Sequence, residues 1–227
     1  GGDGMWKDRA MTMISAVVYA LAWARDNGLI DLNLAALRKY IQFPNLITIL
    51  TDEKFATLPD VWKNNLSIYL SSLAGYNGKP DPDQSDDCLK QHGFLEMQFT
   101  GPLGSLANDY GHIFNSEFGE VDMFDVVLNR RILVVMLPSL QKMPEDVERM
   151  GKIVVASLKT MMGATLGNVG ATKGGKILDV MKRRVTTAPY PCLVILDEVG
   201  YYTVEGMAMM AAQVRSLGFS MIYASQD

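Results

Sequence analysis

The chain of 227 residues is 48% hydrophobic and carries a formal net charge of −4, which suffices for one large α/β domain or two layers sharing a chain and excludes a disordered tail. Dividing it at residue 119 leaves 9 basic against 14 acidic residues before the division and 12 against 11 after it, so neither half has the basic surplus of a nucleic-acid surface. Cys88 and Cys192 form no CxxC pair, and His92 and His112 lack metal-ligand spacing. A reducing compartment with free buried thiols, structural histidines and no metal site of the chain's own are the expectation.

The first region, to about residue 118, reads as helical. AMTMISAVVYALAWA, residues 10–24, runs for 15 residues between Arg9 and Arg25, short of the ~20 needed to span a bilayer, so a buried core helix is expected. Met11, Ile14, Val18, Leu21 and Ala22 share one face of it, and Asn27 and Gly28 stop it. Leu34, Leu37 and Ile41 repeat the pattern, and Val61, Leu66, Tyr69, Leu70 and Leu73 continue it up to Gly75. YNGKPDPDQSDD, residues 76–87, is a solvated loop. CLKQHGFLEMQF and PLGSLANDYGHIF suggest two helices around a break at Gly101 and Pro102. The region holds no expected strand, and the chain has no repeat at a fixed period.

The second region changes character. RILVVMLPSL, residues 131–140, is the apolar run of a strand covered on both faces. A helix follows from Pro144, with Glu145 and Asp146 in its first turn, to Gly163. GATKGGKI, residues 170–177, fits GxxxxGK, but Ile177 stands where a phosphate loop needs Ser or Thr, and a helix rather than a buried strand precedes it. It is read as a flexible loop in which Lys176 cradles no phosphate. A strand at 192–197, a helix from a Thr203 cap to Gly218 and a strand in FSMIYASQ complete a β-α-β-α-β order, which implies a right-handed parallel sheet with helices packed on it.

In such sheets ligands bind at the carboxyl ends of strands, and LVILDE delivers Asp197 and Glu198 to one. There an Asp can hold Mg²⁺ and a neighbouring acid can orient or deprotonate water, or the strand simply runs out into an acidic loop. Gln226 falls 29 residues after Asp197, at the end of the next strand and the same rim. Arg215, 11 residues before Gln226, stands in the last turn of the helix, and the two are read as bracketing one turn at that rim. The plain alternatives are a helix-terminal cation and a strand-end polar residue.

GMWKDRA, TGPLGSLANDYGHIF, RILVVMLPSL and LVILDEVGYYTVEGMAMMAAQVRSLGFSMIYASQD together resemble the type IV secretion coupling proteins of the TraG/VirD class, and among them those of Dot/Icm systems. The resemblance implies an α/β fold: a RecA-like parallel-sheet nucleotide-binding domain, partial because the Walker A strand is missing, with an inserted all-alpha domain. Residues 1–118 match the all-alpha domain and residues 119–227 the part carrying Walker B. It implies ATP and Mg²⁺ as cofactors, Asp197 as the metal-binding acid and Glu198 as its catalytic neighbour. Arg215 corresponds to an arginine finger given to the adjacent subunit, and Gln226 to a strand-end sensor.

The same resemblance implies a homo-hexamer at the cytoplasmic face of the bacterial inner membrane, held there by an N-terminal region outside this chain. Effector substrates, adaptors and other coupling-complex components would be its partners. The chain starts without Met and stops just after a strand-like run, and is read as a piece of something longer, inactive alone without Walker A. The charge balance leans toward protein cargo. A conjugative DNA-transfer coupling protein or FtsK-like DNA translocase, and a non-catalytic assembly scaffold, are the alternatives.

Overall fold

The computed structural model describes residues 2–116, 119–137, 143–165 and 189–225. The chain divides into two units, Gly1–Phe118 and Gly119–Asp227. In the first, α1 (Gly2–Asp26) is followed by α2 (Leu34–Tyr40), α3 (Phe43–Thr51), a 3₁₀ turn at Glu53–Phe55, α4 (Asp60–Ser71), α5 (Asp86–Asp109) and α6 (Gly111–Phe114). No described helix is long and apolar enough to cross a membrane.

α1 ends where the sequence stops it, with Gly28 at φ +70. Its buried side is rotated from the expected face: Ala10, Met13, Val17, Ala20, Leu21 and Ala24 are buried, whereas Met11 is 51% exposed. The helix is apolar nearly all round, so periodicity does not select a face. The alanines decide it, because they let neighbouring helices approach closely.

The sequence reading assigns no element to FPNLITILT, yet it forms α3, with Pro in its first turn and Phe43, Leu46, Ile47 and Ile49 buried. The expected break at Pro102 is also absent, because α5 runs through it. A proline inside a helix costs ~3 kcal/mol or more. Cys88, His92 and Leu95 before it and Leu106 and Ala107 after it are buried, and burying such side chains outweighs the loss.

The loop before α5 has its own tie. Gln84 is buried and its amide nitrogen donates to Asn77 Oδ1 and to the carbonyls of Lys79 and Asp81 at 2.9–3.1 Å. Ser85 then caps α5 by accepting from the Cys88 N–H at 3.3 Å, and its hydroxyl donates to the Gly75 carbonyl at 2.9 Å.

The second unit holds α7 (Met123–Leu128), α8 (Pro144–Thr165), β1 (Cys192–Leu196), a 3₁₀ turn at Val199–Tyr202, α9 (Met207–Gln213), a 3₁₀ turn at Val214–Leu217 and β2 (Phe219–Tyr223). β1 and β2 pair in parallel, with Cys192 opposite Phe219 and Leu196 opposite Tyr223. α8 starts at Pro144 as expected but continues two residues beyond Gly163. The next helix starts at Met207 behind Gly206, which takes φ +77, and not at a Thr203 cap.

The described sheet has two strands. Residues 131–137, expected as a strand covered on both faces, join no ladder among the described residues, and Ile132, Val134 and Met136 are 93%, 75% and 85% exposed. A strand requires a hydrogen-bonded neighbour, and none of the described residues supplies one. Residues 138–140 of that expected strand and all of GATKGGKI lie outside the described residues. Among the described residues the sheet is covered on one face: Cys192, Val194 and Leu196 pack against the cluster that holds Val155, Leu158 and Met210, whereas Leu193 and Ile195 are exposed.

A second polar side chain is buried inside the first unit. His92, 1% exposed, shares a hydrogen bond of 2.7 Å with the Tyr69 hydroxyl through Nδ1 and one of 2.9 Å with the Ile41 carbonyl through Nε2. The carbonyl can only accept, so Nε2 carries the proton and Nδ1 accepts from Tyr69. His92 is thus the structural histidine expected from sequence.

Tyr69→Phe orphans Nδ1 and should cost about 1–3 kcal/mol of stability, measurable by denaturant unfolding. Burial holds the His92 pKa below its ordinary 6.5, so the unfolded chain binds the proton first. The His92 contribution is therefore complete above pH 6.5 and declines as the pH falls toward the folded pKa, by at most about 1.4 kcal/mol per unit. The hydrogen bond to the Ile41 carbonyl raises the pKa against this burial and moderates the decline. His92→Gln should remove this slope from the pH profile of unfolding.

Candidate functional site

β1 ends at Leu196 and the chain turns at once. The Ala224 N–H donates to the Leu196 carbonyl at 2.9 Å, and the Val199 N–H donates to the Ala224 carbonyl at 3.0 Å. Asp197 and Glu198 are the two residues between these bonds. A regular parallel ladder leaves one residue between two such bonds, and the inserted second residue kinks the chain, with Glu198 in the left-handed region at φ 51 and ψ 40, a conformation that non-glycine residues seldom adopt. Its carbonyl then accepts from the Tyr201 N–H at 3.1 Å, opening the 3₁₀ turn.

The Asp197 carboxylate accepts the Glu198 N–H at 3.0 Å, and its backbone carbonyl accepts the Tyr202 hydroxyl. Asp197 is exposed and Glu198 half-buried. The Tyr202 phenol is pushed up by burial, and further by the charges of Asp197 and Glu198. Among the described residues no group of three or more His, Cys, Asp or Glu gathers. An exposed aspartate at a strand end fits one position on a Mg²⁺ ion whose other ligands are phosphate oxygens and water, and the described residues contain no phosphate cradle of their own.

Arg215 is exposed in the 3₁₀ turn after α9. Gly218, at φ 78, closes that turn and donates its N–H to the Arg215 carbonyl at 3.2 Å, while its own carbonyl accepts the Cys192 N–H at 2.9 Å. Arg215 therefore stands at the amino ends of both strands, whereas Asp197 and Glu198 stand at the carboxyl end. All of β2 separates the two ends, about 16 Å for five residues at ~3.3 Å each. The single turn that Arg215 and the end of β2 were expected to bracket is a whole strand. The structure brings Asp197 and Glu198 together and does not bring Arg215 to them. Gln226 lies outside the described residues.

Two side chains, Tyr202 beside the acid pair and Lys159 at the far end of the segment that follows it, carry no assignment from the sequence. Tyr202 is visible there only as part of LDEVGYY, and its contact with Gly151 of α8 joins residues 51 apart. Lys159, also on α8, donates to the Glu205 carbonyl at 2.6 Å. Neither contact leaves a local signal.

No protein-family model matches the chain. It is 44% identical over 236 aligned residues to the type 4 coupling protein DotL of Legionella pneumophila subsp. pneumophila (strain Philadelphia 1). The match covers 100% of this chain and 30% of that protein, so the chain spans less than a third of the length of the curated relative it matches.

The geometry of the turn sets one expectation. Left-handed backbone costs a non-glycine residue about 1–2 kcal/mol, so Glu198→Gly should raise the thermal midpoint even though it removes a side chain from the candidate site. An equal or lower midpoint would mean that Glu198's own contacts outweigh the strain.

Proposed function

We propose that this chain, similar to the type 4 coupling protein DotL from end to end, is the ATPase core of a type IV secretion coupling protein. In this reading its parent uses ATP hydrolysis to recruit protein effector substrates and drive them into the secretion channel. The observation that carries it is the acid pair: two adjacent carboxylates held at the carboxyl end of a parallel strand by backbone bonds on either side. What supports a RecA-like fold in this reading is the same likeness, together with the β-α-β unit of β1, α9 and β2.

Asp197 would hold Mg²⁺, which when bound with ATP neutralises phosphate charge. Glu198 would orient the attacking water and take its proton. Gln226 would touch the γ-phosphate. The phosphate cradle belongs to a part of the parent outside this chain, and Lys176 has no part in it. What supports a role for Arg215 on a neighbouring subunit is its separation from its own acid pair by the length of β2. Working subunits would then assemble as a ring, in this proposal a hexamer at the cytoplasmic face of the inner membrane. The first unit would meet effectors or adaptors. The absence of a basic surplus in either half supports protein rather than DNA as cargo.

Nucleotide affinity and phosphate release on the full-length assembly test the reading. Glu198→Gln should bind ATP as wild type does and release no phosphate, because the amide cannot accept a proton. Wild-type release in that variant would remove Glu198 from the mechanism.

A mixing experiment tests Arg215. Arg215→Ala alone should lose ~10³–10⁵ in turnover. Co-assembly with Glu198→Gln subunits should restore hydrolysis at interfaces where an intact arginine meets an intact glutamate. If every mixture stays inactive, the arginine serves its own subunit. If Arg215→Ala is fully active, it is only a helix-end cation.

A further inference from the structure

The segment between the acid pair and α9 is fastened to α8 at two places. Near its start the Tyr202 hydroxyl donates to the Asp197 carbonyl, and the Tyr202 ring lies against Gly151, where an added Cβ would come within 2.7 Å of Tyr202 Cβ and Cγ. At its end Lys159 Nζ reaches the Glu205 carbonyl at 2.6 Å and covers Gly206, where an added Cβ would meet Nζ at 2.8 Å. The two fastenings are about 12 Å apart along α8. α8 has its own burial against the core through Val155, Leu158, Met161 and Met162, so it is a rigid support for both.

Glu198 needs such a support. Its left-handed backbone is a costly state, and a turn free to relax would leave it and swing the carboxylate away. The Asp197 carbonyl belongs to the peptide that joins Asp197 to Glu198, so a hydrogen bond to it fixes the orientation of the Glu198 backbone directly. Tyr202 is 9% exposed, and its ring can take this place because residue 151 has no side chain for it to meet.

We propose that Tyr202 is a positioning residue for the Asp197 and Glu198 pair, seated on Gly151, and that its hydroxyl aims the Glu198 carboxylate by clamping the peptide that carries it. The inference rests on the ATPase reading above. It adds α8 to the site: a change in α8 that lifts Gly151 from the ring would release the clamp without touching either acid.

The test uses the full-length protein and measures hydrolysis against ATP concentration. Tyr202→Phe keeps the ring on Gly151 and removes only the hydroxyl. The kcat should fall by about 10²-fold, the scale of a reacting group displaced by an ångström, while KM for ATP and the thermal midpoint stay near wild type. Gly151→Ala should give the same split by displacing the ring. If that variant fails to fold, Tyr202→Phe decides alone. A Tyr202→Phe protein with wild-type kcat overturns the proposal, and so does one in which KM rises while kcat is unchanged. Absence of turnover in wild type would instead overturn the ATPase reading, and this inference with it.

Discussion

The backbone of Ala224 is used twice, and the arrangement of the second unit depends on it. Its N–H completes the ladder with Leu196 and its carbonyl takes the N–H of Val199, so two residues stand where a regular parallel ladder has one. That constraint exposes Asp197, forces Glu198 into left-handed backbone and starts the 3₁₀ turn that carries Tyr202 back under the strand end. A carboxylate pair on a loop would sample many orientations. Here the strand pairing fixes where the pair stands, and the pairing is set by the parallel register of five residues.

The two units reach order by different means. The first is an assembly of helices whose core is sealed by alanine-lined packing of α1 and by one fully satisfied polar group, His92. The second buries one face of a short sheet against α8 and α9 and leaves the other face apolar and exposed among the described residues. A parallel sheet is ordinarily covered on both faces.

Much of this was legible in the sequence where one residue dictates backbone. Gly28 stops α1 with φ +70 and Pro144 starts α8, whereas α4 ends at Ser71, short of Gly75. The apolar runs of β1 and β2 and the acid pair behind β1 were equally plain, as was the likeness to type IV coupling proteins, borne out along the whole chain by the match to DotL. Packing decided what local signals could not. α1 is too uniformly apolar to reveal its buried side, Pro102 is carried through α5 by burial on both flanks, and residues 131–137 have the composition of a strand without a described partner. The position of Arg215 was in fact readable, since a residue between a helix and the following parallel strand must stand at that strand's amino end. Tyr202 and Gly151 were not, because their contact exists only once α8 lies beneath the sheet.

In the function proposed above, Asp197 would stand where a metal ion and a nucleotide meet. ATP affinity of the full-length protein, measured with Mg²⁺ and with chelator, for wild type and Asp197→Asn, tests it most directly. On this account Mg²⁺ strengthens ATP binding in wild type, and most of that gain is lost in Asp197→Asn while metal-free binding is unchanged. An identical response to Mg²⁺ in the two proteins would contradict it.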